Sequence, residues 1–232
     1  MRWAPPRSRS RHAIRDHIEA NLDPVRDHQE IVFLSTCYDF PWDTHRALEL
    51  ALLRVFGIAR SSRLLVRTGE LLERTQKRYD DTVLILSEML ENGYDSERGR
   101  AALRRMNQQH RRYTIPNDEY VYTLSTFIFE PIRWNERFAW RKPTEKEKLA
   151  QYHYWEHVGA LMNIKDIPPS YEAFERFNVD YEAEHLRFSE DNRKLAVATR
   201  DLMLSWVLPR ALRPLGAKVI HALIDDPLLD AV

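Results

Sequence analysis

The sequence predicts an all-α protein, on two observations. The 232 residues include only 6 glycines, and Leu, Ala, Glu and Arg recur at spacings of three and four residues, the period of an amphipathic helix. We find no alternating strand pattern, internal repeat or low-complexity tract. The chain is long enough to bury a sizeable core, and it shows no long linker-like loop that would mark a domain boundary.

Turn and capping residues divide the first part of the chain into helices. Asp23 followed by Pro24 predicts a helix start, and the helix continues through Leu34. Pro41 opens a second helix that ends at Gly57. Gly69 is expected to mark either a break in the next apolar repeat or a close helix crossing.

A polar cluster, residues 78–82, leads into an apolar run, residues 83–90, that is predicted to be deeply buried. Asn92-Gly93 then ends this helix in left-handed backbone. Asp95 or Ser96 is expected to cap the helix that follows.

The second half of the chain carries further helix signals. After Pro116, Asn117 is placed to cap a helix that Pro131 is expected to interrupt. Thr144 with Glu147 predicts a capping box at the start of another helix. Two more helices begin at serine caps, Ser170 and Ser189.

Charge and cysteine content restrict the functional class. With 35 Lys and Arg against 35 Asp and Glu, the formal net charge is zero, so we expect no nucleic-acid partner. The single cysteine, Cys37, cannot form an intramolecular disulfide, which fits a reducing cytoplasm.

No segment approaches the about 18 uninterrupted apolar residues of a spanning helix, so we expect a cytoplasmic protein, soluble or peripheral to a membrane. Residues 1–11 are predicted to be a disordered arm.

The C-terminal segment 206–224 combines Leu, Val and Ile with three basic residues, Arg210, Arg213 and Lys218. Such a mixture is typical of a helix that lies on a membrane surface. The alternative is a pair of short helices packed on the core. The oligomeric state is left open by the sequence.

The polar cluster at residues 78–82 is the first candidate site. On a helix, Arg78, Asp81 and Thr82 lie on one face, because residues three and four apart are neighbours. His110 lies in line with the apolar residues of the next helix, and imidazole is the usual axial ligand of a buried haem iron. Two such helices could hold a flat cofactor between them. The alternatives are a hydrogen-bonded core histidine and a solvated face with a weak ion pair.

Two other spacings could serve a metal ion. Glu182 and His185 have the Glu-x-x-His spacing of helical di-iron sites, but such sites need a second pair, which the chain lacks. His153 and His157 lie one helical turn apart, without the glutamate of a zinc peptidase motif. The alternative for Glu182 and His185 is an exposed helix face, and the alternative for His153 and His157 is a partly buried aromatic helix. Glycine-rich phosphate loops and nucleophile elbows are also missing, so phosphoryl transfer and serine hydrolysis lose their usual support.

Five short motifs follow one another along the chain: Arg67-Thr68-Gly69, Arg78-Tyr79-Asp80-Asp81-Thr82, Asn107 with His110, Tyr122-Thr123-Leu124-Ser125-Thr126-Phe127, and Glu130-Pro131-Ile132-Arg133-Trp134. In this order they resemble the MpaB-type oxygenase family, which includes the latex clearing proteins, or rubber oxygenases. The resemblance implies a single all-helical, globin-like domain at 23–226 that encloses a haem pocket. A basic arm and lead-in helix at 1–22 would precede this domain, and a tail at 227–232 would follow it.

The resemblance also implies roles for individual residues. His110 is the axial metal ligand of haem b, and Arg78 and Thr82 contact the haem propionates or the dioxygen on the opposite side. In latex clearing proteins a lysine that can ligate the iron precedes the motif threonine. Asp81 takes that position here, and the role assigned to it is a proton relay. The aromatic residues between Tyr120 and Trp140 would either line a substrate tunnel or pack in the core.

The function implied is that of a haem b-dependent oxygenase. Its partners would be dioxygen and an apolar small molecule, such as an isoprenoid, with no nucleic acid. One alternative is a non-catalytic protein of the same fold that binds haem or another hydrophobic ligand. A second alternative is a helical di-iron protein, and a third is a helical interaction protein whose site has decayed and holds no cofactor.

Overall fold

The computed structural model describes residues 3–8 and 10–232. In that part of the chain every regular element is helical, and the β-type pairing is limited to an isolated antiparallel bridge between Ile58 and Leu186. The predicted all-α class is confirmed. The helices are α1 (Ala13–Asn21), α2 (His28–Leu34), α3 (Pro41–Phe56), α4 (Ala59–Thr68), α5 (Glu70–Glu73), α6 (Thr75–Asn92), α7 (Glu97–His110), α8 (Asn117–Phe138), α9 (Glu145–Leu161), α10 (Tyr171–His185), α11 (Glu190–Val207), α12 (Arg213–Leu223) and α13 (Asp226–Ala231).

The chain forms two compact units. The first comprises the described residues of Met1–Glu49 together with Leu84–Phe177, and the second comprises Leu50–Val83 together with Asn178–Val232. The division falls inside α3, α6 and α10. The units are therefore assembled from segments that are far apart in the sequence.

In the first unit, α9 packs against α1, α2 and α8. Aromatic side chains fill this core. Phe127 of α8 stacks on Trp155 of α9 with ring centroids 4.9 Å apart, and the buried Phe129 meets the ring of Phe174 edge-on at 6.0 Å. Of the two predicted roles for the aromatic residues of α8, core packing is therefore the one that these rings perform.

In the second unit, α11 packs against α4, α5 and α12. Asn192, near the start of α11, is completely buried, and its amide nitrogen lies 2.8–3.1 Å from the carbonyl oxygens of Gly57, Arg187 and Ala231. One buried amide thereby joins three segments of the chain. Because a buried amide without partners is costly, this position tolerates few other residues.

Most of the predicted helix ends are confirmed. Four predicted N-cap side chains each accept a hydrogen bond from the backbone N–H three residues later: Ser96, Thr144, Ser170 and Ser189. The Thr144 cap is a complete capping box with Glu147. Gly69 and Gly93 adopt left-handed backbone, with φ of 72° and 81°, directly after α4 and α6.

Two predicted features of α8 are wrong. Pro131 does not interrupt the helix, which continues to Phe138. A proline removes one backbone hydrogen bond, and the burial of residues on both sides of Pro131 stabilises the helix in spite of that loss. Asn117 does not cap α8, because its side chain hydrogen-bonds the backbone N–H and C=O of Lys165 at 2.8 and 2.7 Å instead.

Two further helix predictions need correction. Asp23-Pro24 forms a turn and no helix start, because the Asp23 carboxylate accepts hydrogen bonds from the backbone N–H groups of Val25 and Arg26, and α2 begins only at His28. The apolar run 83–90 is buried on one side only, since Leu84 is 63% exposed.

The prediction of a disordered arm at residues 1–11 is wrong where the structure describes that segment. Met1, Arg2 and Arg9 lie outside the described residues. Trp3 packs against Phe33 with ring centroids 5.5 Å apart, and the guanidinium of Arg11 lies 4.1 Å from the ring centroid of Trp140. Aromatic contacts of this kind offset the backbone entropy that is lost when a polar arm becomes ordered.

Candidate functional site

Arg78 and Thr82 contact each other on α6. The Arg78 Nη1 group donates a hydrogen bond to Thr82 Oγ1, and the Thr82 hydroxyl donates in turn to the carbonyl oxygen of Arg78 at 3.0 Å. Both side chains are half-buried. The four-residue spacing therefore places them on one helix face, as predicted, and the threonine holds the guanidinium along that face.

Asp81 directly precedes Thr82 on α6, and its carboxylate forms an ion pair with Lys77 one turn earlier. The Lys77 side chain is 60% exposed and the Asp81 side chain is 39% exposed, so solvent reaches both charges. An ion pair that water can reach is weak and is screened by salt. The carboxylate can therefore exchange protons with the solvent.

The same turn of α6 is attached to α11 in the second unit. Trp206 Nε1 donates a hydrogen bond of 2.7 Å to the side-chain oxygen of Gln76, and the rings of Tyr79 and Trp206 lie 4.8 Å apart. The polar cluster is thus held on a helix whose position is fixed by packing, which is what a binding site needs.

His110 is the last residue of α7, in the first unit, and is half-buried. Its ring meets the ring of Tyr120 edge-on, with centroids 5.6 Å apart and planes at 69°. Burial raises the pKa of Tyr120, so its hydroxyl stays protonated and neutral around pH 7. The sequence pattern did not reveal this pair. The chain break at Pro116, which turns the chain from α7 back into α8, is the signal that could have predicted it.

The four predicted site residues divide between the two units. Arg78, Asp81 and Thr82 belong to the second unit and His110 belongs to the first. The structure brings Arg78 and Thr82 together, and it places Tyr120 beside His110. The prediction that a flat cofactor lies between two facing helices stays a prediction.

The chemical types of these residues suit haem b. Imidazole, the side-chain group of His110, is a common axial ligand of haem iron. A guanidinium with a neighbouring hydroxyl, as in Arg78 and Thr82, can donate hydrogen bonds to a propionate carboxylate or to an oxygen ligand. All three side chains are half-buried, so they are accessible to a ligand yet partly shielded from water.

The Glu182 and His185 pair is engaged in other contacts. The Glu182 carboxylate lies 3.1 Å from the guanidinium of the buried Arg54, which also pairs with Asp225. The His185 ring packs against Tyr181 with centroids 4.2 Å apart. These contacts give the Glu182 and His185 side chains a role in helix packing. The spacing of the pair therefore does not support the di-iron alternative.

The His153 and His157 pair belongs to an aromatic cluster. The His157 ring stacks on that of His28 with centroids 4.8 Å apart, and His157 Nδ1 lies 2.7 Å from the carbonyl oxygen of His153. Across residues 3–8 and 10–232, no group of three or more His, Cys, Asp or Glu side chains is arranged to hold a metal ion by itself. The structure thus gives this pair a packing role.

Comparison with known proteins decides the family. The family model described as "ER-bound oxygenase mpaB/B'/Rubber oxygenase, catalytic domain" matches residues 42–232, a range that contains Arg78, Asp81, Thr82 and His110. The chain belongs to this family. The membership predicted from the five motifs is thereby confirmed.

Fungal members of the mpaB/rubber oxygenase family are similar to this chain over most of its length. The ER-bound oxygenase mpaB' of Penicillium brevicompactum is 30% identical over 212 aligned positions, which cover 84% of this chain and 50% of that protein. The ER-bound oxygenase mpaB of Penicillium roqueforti is 29% identical over 212 positions, covering 84% of this chain and 71% of that protein. The chain thus spans about half the length of the first of these relatives. No helix in the described ranges is long and apolar enough to cross a lipid bilayer.

Proposed function

We propose that this chain is a haem b-dependent oxygenase that uses dioxygen to oxidise an apolar small molecule such as an isoprenoid. The observation that supports this most directly is the family match over residues 42–232, which contains His110 and the Arg78–Thr82 pair. The half-burial of these side chains is consistent with it. A haem supplies, when bound, the iron chemistry that activates dioxygen.

His110 is the residue that would hold the haem iron, through one imidazole nitrogen. The edge-on contact with Tyr120 restricts the rotation of the His110 ring, and a restricted ligand loses less entropy on binding. Tyr120 is therefore a positioning residue in this proposal. Its hydroxyl is neutral at physiological pH, so it adds no charge beside the metal ligand.

Arg78 and Thr82 bind and orient the polar groups of the cofactor or the oxygen. The guanidinium is held by Thr82 before any ligand arrives, so its positive charge and its hydrogen-bond donors are already aligned along the helix. Asp81 passes protons between this region and solvent, because its side chain is 39% exposed and its carboxylate pairs with the exposed Lys77.

Association with a membrane surface is the second part of the proposal. The two relatives described above carry "ER-bound" in their names, and apolar substrates concentrate in lipid. We extend to this chain only contact with the membrane surface. The cytoplasmic location expected from the single cysteine stays a prediction.

Oxygen consumption by haem-reconstituted protein tests the oxygenase proposal. We expect uptake that depends on an apolar substrate such as an isoprenoid, together with an oxygenated product. Arg78→Ala should retain haem absorption but lower turnover by about a hundredfold or more, in the range for loss of one pre-aligned donor. Arg74→Ala is the matched control, because that arginine lies one turn earlier in an exposed ion pair with Glu70.

Two results would contradict the proposal. Recovery of the bound ligand unchanged, without oxygen uptake, would instead support a non-catalytic carrier of the same fold. Equal turnover in the Arg78→Ala variant and the Arg74→Ala control would remove Arg78 from the site.

A further inference from the structure

The C-terminal segment of the second unit has an unusual charge distribution. Between Asp201 and Asp225 the chain contains no Asp or Glu, although charged residues make up 30% of the whole sequence. Three basic residues occur in the same interval: Arg210, Arg213 and Lys218. In a chain with no net charge, this segment is a local positive patch.

The solvent-exposed face of helix α12 is largely apolar, which is unusual for a helix at a protein surface. Gly216 faces α11, where a Cβ atom would lie 2.5–2.6 Å from side-chain carbons of Leu208 and Leu204, so the two segments approach closely there. A second stripe of α12 follows the helical spacing of three and four residues and is exposed: Leu215, Lys218, Val219 and Ala222.

Exposed apolar residues also occur in the segment just before α12. Leu215 is 65% exposed and Val219 is 58% exposed, while Val207 at the end of α11 is 70% exposed and Leu212 is 50% exposed. Single exposed aliphatic residues are ordinary, but several clustered in one acid-free segment indicate an interaction surface.

We infer that this surface, formed by Val207, Leu212, Leu215 and Val219 with Arg210 and Lys218, docks onto a lipid bilayer that contains anionic headgroups. Apolar side chains enter the headgroup boundary while basic side chains pair with lipid phosphates and carboxylates. A second copy of the chain fits less well, because it would bring positive charges against each other. This inference deepens the proposed membrane association and does not depend on haem or turnover.

Vesicle flotation tests the inference. We expect the full chain to float with vesicles of phosphatidylcholine mixed with phosphatidylserine, and less with phosphatidylcholine alone. The double variant Leu215→Glu/Val219→Glu should bind about tenfold more weakly. Arg210→Gln and Lys218→Gln should each weaken binding to the anionic vesicles about fivefold. The matched control is Val179→Glu on α10 of the same unit, since Val179 is 52% exposed and lies outside the surface.

Several outcomes would overturn the inference. If Leu215→Glu/Val219→Glu floats like the unmodified chain, or if Val179→Glu weakens binding equally, the surface is misassigned while membrane association stands. If the unmodified chain floats with neither vesicle, both fail and the oxygenase proposal is unaffected. A concentration-dependent dimer that the double variant abolishes would assign the surface to self-association. Circular dichroism of each variant verifies that its helices are retained.

Discussion

The Nε2 atom of His28 lies 2.7 Å from the hydroxyl oxygen of Tyr94, although 66 residues separate them in the sequence. On the other side of the ring, His28 Nδ1 lies 2.6 Å from the carbonyl oxygen of Val25. A carbonyl can only accept, so Nδ1 carries a proton, and in the neutral imidazole Nε2 then accepts a hydrogen bond from the Tyr94 hydroxyl. Both ring nitrogens of His28 therefore have hydrogen-bond partners when the imidazole is neutral. His157 stacks on the same ring.

This neutral imidazole predicts that stability falls at mildly acidic pH. Burial lowers the pKa of His28 below its ordinary value of 6.5, and the hydrogen bond to the Val25 carbonyl oxygen partly opposes this effect. The neighbouring His157 and His153 lower the pKa further, and Glu156 raises it slightly. Below about pH 6.5 the unfolded chain therefore binds the proton more readily than the folded one. The contribution of His28 is fully present above that pH and is lost as the pH falls towards the lower folded-state value.

Urea unfolding at pH values on either side of about 6.5 measures this effect. His28→Gln should flatten the dependence of the unfolding free energy on pH. His221→Gln, at an exposed position of α12, is the control and should leave the dependence unchanged. An equally steep dependence in His28→Gln would show that other groups cause it.

Arg141→Ala should destabilise the first unit strongly. The Arg141 side chain is 8% exposed and pairs with two buried carboxylates, those of Asp39 and Glu147. Removing it leaves both carboxylates buried without a cation, which costs about 3–5 kcal/mol of unfolding free energy. Chemical denaturation measures the loss. Arg193→Ala, which removes an exposed pair with Glu190, is the control and should change stability little.

Gly99→Ala should destabilise the start of α7. A Cβ atom at this position would lie 2.0 Å from the backbone carbonyl oxygen of Gly93, which cannot move aside without disturbing the left-handed turn there. We expect a loss of about 1–3 kcal/mol in unfolding free energy, as in other overpacked sites. Arg100→Ala, at the next and exposed position of α7, should be neutral. Equal stability of the two variants would contradict the predicted clash.

Tyr120→Ala should weaken haem binding, because the His110 ring would lose its aromatic neighbour. An edge-on aromatic contact contributes about 0.5–1.5 kcal/mol, so a haem titration should show about two- to tenfold lower affinity. Tyr120→Phe retains the ring and should restore the affinity. Equal loss in both variants would instead give the hydroxyl the main role, and no loss in either would remove Tyr120 from the site.

Local signals in the sequence predicted most helix ends. Ser96, the Thr144 capping box and Gly93 act through neighbours within a few residues, so their structural effect can be read directly from the sequence. Pro131 could not be interpreted in this way, because the helix survives through burial against distant segments. The exposure of Leu84 was missed because the burial of a side chain depends on tertiary packing, which the local sequence does not show.

The candidate site also combines contacts that follow from local spacing with contacts that require tertiary folding. The contact between Arg78 and Thr82 follows from helical spacing alone. The contact between His110 and Tyr120 requires the turn between α7 and α8, so it does not follow from spacing. Tertiary folding therefore added the positioning residue Tyr120 to a site whose first members could be predicted locally.

The most direct test of the central proposal is the absorption spectrum of haem-reconstituted protein with and without the His110 imidazole. His185→Ala is the matched control, since His185 also ends a helix, α10, and also packs against a tyrosine ring. We predict a Soret band in the unmodified chain and in His185→Ala, and its loss or a clear change of ligation in His110→Ala. The absence of a Soret band from the unmodified chain, or an identical spectrum in His110→Ala, would contradict the assignment of His110 to the haem iron.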